Sequence, residues 1–339
     1  MSEQLEETLD RLKTQLLLHP NDPWKRFHLG RTLVRMGRTA EAADAFRRSI
    51  KNKPDNAEAH YQLGLAAREL GNTEEAANAF GESTKHQPDF FDGYVMLAET
   101  AAARGENDRA VEAYDKAIRL NPQRNDLLVA AARLRAKLGQ HDLAVLAYEG
   151  ALNAQPEFEL MLALGRSFAA LGRNEELYSL MQRSLGLQHD SLEAWEQSGR
   201  ALRALNRPEQ SLEAFERVLR LEASHVEAAN EAARICRELG RDDQAQAAYA
   251  RARSLSPKDP DLAVEHGQVL LRLREAEQAV AAFEHAQKYS ETPNGLAHAG
   301  LGAAYNSLAK YIEAAAELEQ ATSINPRSGY AWANLGVSY

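Results

Sequence analysis

The stretch AEAHYQLGLAARELGNTEEAANAFGESTKHQPDF, from Ala57 to Phe90, carries two helical patterns separated by one stop. His60, Leu63, Gly64 and Ala67 fall at i, i+3, i+4 and i+7, one face of an α-helix. Gly71 ends that pattern, because a helix terminus favours the positive φ that glycine adopts at no steric cost. From Glu74 the spacing resumes, with Ala76, Phe80 and Ser83 on one face. Pro88 closes the segment, since proline lacks the N–H that would continue the ladder. Gly64 is small enough to admit a neighbouring helix, Phe80 fills the wedge and Ala76 leaves room for the ring.

The same columns recur in both directions. Prolines stand at Pro20, Pro54, Pro88, Pro122 and Pro156, each 34 residues after the last. Aromatics follow that period at Phe46, Phe80, Tyr114 and Tyr148, and after a one-residue slip at Phe215, Tyr249 and Phe283. Leu-Gly pairs return at Leu29-Gly30, Leu63-Gly64, Leu164-Gly165 and Leu335-Gly336. The mid-unit stop repeats at Gly37, Gly105, Gly139, Gly172 and Gly240. A helix pair of this size cannot bury its apolar face alone, so the units must stack.

This pattern resembles the tetratricopeptide repeat family, whose signature places Trp, Leu, Gly, Tyr, Ala, an aromatic, Ala and Pro at fixed spacing. The resemblance covers about nine-tenths of the chain. It implies an all-α fold, a right-handed superhelical solenoid of antiparallel helix pairs. Full units start at Pro23, Ala57, Phe91, Asn125, Phe158, Leu192, Val226, Pro260 and Gly295. A truncated tenth starts at Gly329, with Trp332, Leu335, Gly336 and Tyr339 in register. The expected organisation is a capping helix over 1–22, nine repeats over 23–328 and the first helix of a tenth over 329–339. Leu5, Leu9, Leu12 and Leu16 form the stripe by which the cap covers the first unit. The aromatic crowding of Tyr330, Trp332 and Tyr339 predicts that the parent chain continues, or that copies associate through this end. The signature weakens where Leu177, Met181 and His189, then Ser211, Val218 and Ala223, replace the usual residues, so a change of inter-unit geometry is expected around residues 175–225.

Bulk composition narrows the function. The chain has 339 residues, 44% hydrophobic and 26% charged, within the range of folded protein. Its net charge of −9 argues against a nucleic-acid partner, which calls for a basic face. One cysteine, Cys236, excludes an internal disulfide framework and a zinc cluster. The polar, acidic start has no secretory pattern, and no stretch is long and apolar enough to span a bilayer, so a cytoplasmic location without membrane insertion is expected.

Nothing in the sequence assembles catalytic chemistry, and no enzyme activity, metal or cofactor is expected. His60 and His298 occupy the Trp column and His266 the Leu column, so packing accounts for them. Cys236 lies in the Tyr column and reads as a small buried hydrophobe.

Binding is the remaining role. The resemblance implies that the second, fifth, ninth, twelfth and thirteenth residues of each unit face a concave groove. The ninth column holds Arg31, then Arg133, Arg166, Arg200 and Arg234 in successive units, and the twelfth adds Arg68, Arg203 and Arg237. A ladder of guanidinium forks suits an acidic or phosphorylated peptide. The competing reading is that these arginines pair within their own helices, as Glu196 with Arg200 and Glu231 with Arg234. On the ladder reading, reversing Arg166 and Arg200 to Glu abolishes capture and leaves the melting temperature nearly unchanged. Trp24, Phe27 and Tyr61 are candidate aromatic anchors for an apolar side chain, or else pack beneath the cap. The clamp that family members use on chaperone tails needs Lys and Asn at the fifth and ninth residues, where Phe27 and Arg31 stand here. The expected function is a protein–protein interaction scaffold or adaptor. Two alternatives are a substrate-recruiting region of a larger enzyme, such as a glycosyl- or sulfotransferase, and a self-assembling array.

Overall fold

The computed structural model describes residues 2–154 and 156–339, and among them there are twenty α-helices and no strand. The chain divides into two compact parts, Met1–Ser167 and Phe168–Tyr339. The first part opens with α1 (Ser2–Leu18), followed by the pairs α2 (Pro23–Arg35) with α3 (Thr39–Asn52), α4 (Ala57–Glu69) with α5 (Thr73–His86), α6 (Phe91–Ala103) with α7 (Asn107–Leu120), and α8 (Asn125–Lys137) with α9 (His141–Ala154). The division falls inside α10 (Phe158–Ala170). The second part holds α11 (Asn174–Leu187), then α12 (Leu192–Ala204) with α13 (Pro208–Leu221), α14 (Val226–Glu238) with α15 (Asp242–Leu255), α16 (Pro260–Arg272) with α17 (Ala276–Tyr289), α18 (Gly295–Ser307) with α19 (Tyr311–Ile324), and α20 (Gly329–Ser338). Within each part a helix packs on its sequence neighbours, and first helices also meet the next first helix, as α2 meets α4 and α16 meets α18.

Short-range chemistry sets these boundaries. Asp22, Asn56, Ser191, Asp259, Asn294 and Ser328 each accept a backbone N–H from the first turn of the helix they precede. At the turn inside each pair the chain takes a positive φ. Glycine supplies it in six pairs, but Asn206, Arg274 and Ala309 supply it in the others, with φ of 57°, 62° and 57°. An alanine in this region strains Cβ against its own carbonyl. Ala309→Gly is therefore expected to stabilise the chain by about 1 kcal/mol, read as a higher urea midpoint; an unchanged or lower midpoint would show that the turn is not strained.

The core is a row of aromatics set against bare backbone. Phe46, Phe80, Phe215 and Phe283 are fully buried. A Cβ placed on Gly30 would lie 2.5 Å from the Phe46 ring, on Gly64 2.6 Å from Phe80, and on Gly267 2.7 Å from Phe283. The glycine is thus a steric requirement of close helix approach. In α11 the pattern shifts: Leu177 and Met181 replace Ala and the aromatic, and both are buried, so volume lost in one column returns in its neighbour.

One further tie repeats between units. In four units the fourth residue of the first helix reaches back six residues to a backbone carbonyl. Arg26 Nε donates to Pro20 O at 2.9 Å, His60 Nε2 to Pro54 O at 2.8 Å, Trp195 Nε1 to His189 O at 2.9 Å and Trp332 Nε1 to Pro326 O at 2.9 Å.

Candidate functional site: the surface of the first helices

In the first part, the arginines singled out above sit on α2, α4, α8 and α10. Arg31 is exposed, its guanidinium 5.8 Å from the Phe27 ring. Arg68 pairs with Glu99 of α6 at 3.3 Å. Arg133 is exposed and makes no ion pair among the described residues. Burial raises the Tyr148 phenol above its ordinary value, and the positive charges of Arg133 and Arg166 offset part of that rise. Both guanidinium groups therefore act on the same buried ring.

In the second part the arginines are bound into a network of their own carboxylates. Arg200 reaches Glu196 at 2.5 Å and Glu227 of α14 at 2.6 Å. Arg203 holds Glu231 at 3.0 Å and Glu238 at 2.7 Å. Arg234 holds Glu265 of α16 at 3.1 Å and Glu231 at 3.5 Å, and Arg237 approaches Glu265 at 3.9 Å. The Tyr249 hydroxyl donates to Glu265 at 3.1 Å. Pairs within one helix are present, and pairs from each first helix to the next are added to them. Most of these groups are part-exposed, so each pair contributes about 0–1 kcal/mol. Reversing Arg200 would set three carboxylates together, so the expectation of a nearly unchanged melting temperature does not carry over to that position.

The aromatic candidates separate. Phe27 is 4% exposed and shares a core cluster with Leu9 of the cap and Phe46, so it offers no surface to a partner. Tyr61 is half-buried against Phe80 and Phe90, with ring centroids 5.7 and 4.8 Å away. Trp24 is 53% exposed, with the Lys53 ammonium 5.8 Å from its ring. The remaining sequence candidates pack as structure: Cys236 is buried, and burial raises its thiol above the ordinary value.

A feature that the arginine columns do not reveal lies in the second part. Gln268, Leu271 and Arg272 of α16, Leu296, Ala299 and Gly300 of α18, and Tyr330 of α20 line a cleft of about 450 Å³. These residues include the second, fifth, ninth, twelfth and thirteenth positions of their units. Leu296 stands where the seven preceding units, from Glu58 to Asp261, carry an acid, and Leu271 where Arg68, Arg203 and Arg237 stand in three others; that loss of charge is the sequence signal that could have found the cleft.

A stack of helix pairs with ring-on-glycine contacts and a surface built from its first helices defines the class of helical-repeat proteins. Models described as tetratricopeptide repeat match residues 27–86, 61–125, 197–260 and 297–328, and the chain belongs to that family. Among solved structures it is similar to the C-terminal part of a tetratricopeptide repeat-containing protein from Cytophaga hutchinsonii, at 15% identity over 70% of this chain and 97% of that one, TM-score 0.52. It is also similar to a chain in the complex of Naa15 and Naa10 bound to HypK-THB, at 15% identity over 97% of this chain and 62% of that one, TM-score 0.58. YrrB, a TPR protein with an unusual peptide-binding site, aligns at 17% identity over 56% of this chain and 97% of its own, TM-score 0.47. No curated protein sequence matches the chain. Among the described residues no helix is long and apolar enough to cross a membrane.

Proposed function

We propose that the chain is a protein-interaction scaffold whose partner segment lies across the exposed faces of successive first helices. The observation that carries this reading is the cleft in the second part, where the implied groove positions of three successive units line one recess. Family membership supports it. In the first part an acidic or phosphorylated segment would meet Arg31 and Arg133 without displacing a carboxylate, with Arg166 beside Tyr148. Arg68, Arg200, Arg203, Arg234 and Arg237 would have to exchange their own acids for those of the partner. No catalytic role is assigned to any residue.

Cross-linking capture from the source cell, with the linked residues mapped, tests the surface. Links confined to the first helices, α2, α4, α6, α8, α10, α12, α14, α16, α18 and α20, support it; links confined to the second helices of the pairs overturn it. Arg133→Glu is expected to reduce capture of an acidic partner about tenfold with no change in melting temperature. Unchanged capture removes the arginines from the site.

A further inference from the structure

We infer that the cleft between α16, α18 and α20 docks an extended partner segment presenting an apolar side chain next to a cationic one. This rests on the scaffold reading above and assigns a site and a chemistry that the arginine columns do not. Leu296 is 63% and Tyr330 54% exposed, and with Leu271 they wall an open apolar recess. Gly300 lines it with backbone, and the buried Phe283 ring behind leaves no room for a Cβ at that position. Neither α18 nor α20 contains Asp, Glu, Lys or Arg, so the recess is uncharged on two of its three sides. On the third, Arg272 is taken up by Asp242.

The charge lies at one end. A second cleft, of about 420 Å³, shares Leu296 and Ser328 with the first and is lined by Asp261 and Glu291. Both carboxylates are exposed and neither meets a cation among the described residues. Glu291 stands on the connection 290–294, one residue longer than the connections 256–259 and 325–328 on either side. An apolar recess that opens into two unpaired carboxylates attracts a cation beside the anchor and repels an acid. The anchor gains by leaving water and the cation sets the direction of the segment.

The test is selection of random peptides displayed on phage against the full chain, followed by anisotropy with the enriched peptides. Enrichment of an apolar residue adjoining Lys or Arg is expected. Leu296→Asp, at an exposed position, should weaken those peptides about tenfold with the helical circular dichroism retained. The double variant Asp261→Asn with Glu291→Gln should weaken them and flatten their salt dependence. Enriched peptides that ignore Leu296→Asp but are lost with Arg133→Glu would overturn the cleft and leave the scaffold reading standing. Acidic peptides selected at the cleft would also overturn it. Failure of any peptide to be enriched would overturn both.

Discussion

Phe283→Ala is expected to destabilise the chain by about 3–5 kcal/mol and to split its unfolding into two steps. The ring is fully buried and lies between two glycines, Gly267 of its own first helix and Gly300 of the next. Neither glycine has a side chain to move into the vacated space, so the cavity cannot close without shifting helices. The lost contacts belong to a junction, because Phe283 joins Ala263 and Val264 of α16 to Ala297 and Leu301 of α18 in one cluster. Stability in a repeat stack is close to a sum of unit terms and nearest-neighbour terms. Breaking one neighbour term therefore frees residues 295–339 to open while the rest stays folded. Hydrogen exchange read by peptide should show protection lost first across α18, α19 and α20. A uniform loss along the chain, or a cost below about 1 kcal/mol, would show that the junction is not held by this ring. Phe283→Leu should recover most of the stability, since a branched aliphatic still fills much of the space.

Acid should weaken the wild-type chain more than His266→Leu. His266 is 7% exposed, and its Nδ1 lies 3.1 Å from Arg253 Nη1. Arginine can only donate, so this nitrogen accepts and the ring is neutral. Burial, and then the Arg253 charge, pushes the imidazole down to about 4. Unfolded, it returns to about 6.5. Above that value the ring is neutral in both states and contributes no pH dependence. As pH falls from about 6.5 to about 4, the unfolded chain binds the proton and the folded chain does not, so stability is lost at about 1.4 kcal/mol per unit. Between pH 6.5 and 5 the wild type should lose about 2 kcal/mol more than His266→Leu in urea titrations. The carboxylates, common to both proteins, cancel in the difference. Parallel curves would mean that the ring is not excluded from protonation in the fold.

The helix pairs were legible because their signals are local. A cap, a stop, a proline and an aromatic each act within a turn or two, and Pro23, Ala57 and Gly295 are readable as helix starts from the columns alone. The positive φ at Arg274 and Ala309 was not legible, since neither residue type favours it; the neighbouring helices impose it. The ionic network was half legible. Glu196 and Arg200 are one helical turn apart and visible in the sequence. Arg200 with Glu227, or Arg203 with Glu238, requires knowing which columns of adjacent units face each other. Phe27 misled for a related reason. Its column position implies exposure, but the first unit is the one covered by α1, and Leu9 shares its cluster. At Leu296 the loss of the acidic column marks the place in the sequence, but the depth and volume of the cleft are not encoded by periodicity.

The reach-back bond of the fourth residue has a consequence for how the units differ from one another. Guanidinium, imidazole and indole all fasten the same carbonyl at nearly the same length, in Arg26, His60, Trp195 and Trp332. What the bond requires is an N–H at the end of a long enough arm, and Leu128, Met161 and Ala229, at the same place in other units, do without it. Among the four that make it, charge, aromaticity and size are left free, so the surface around those connections differs from unit to unit while the latch is kept.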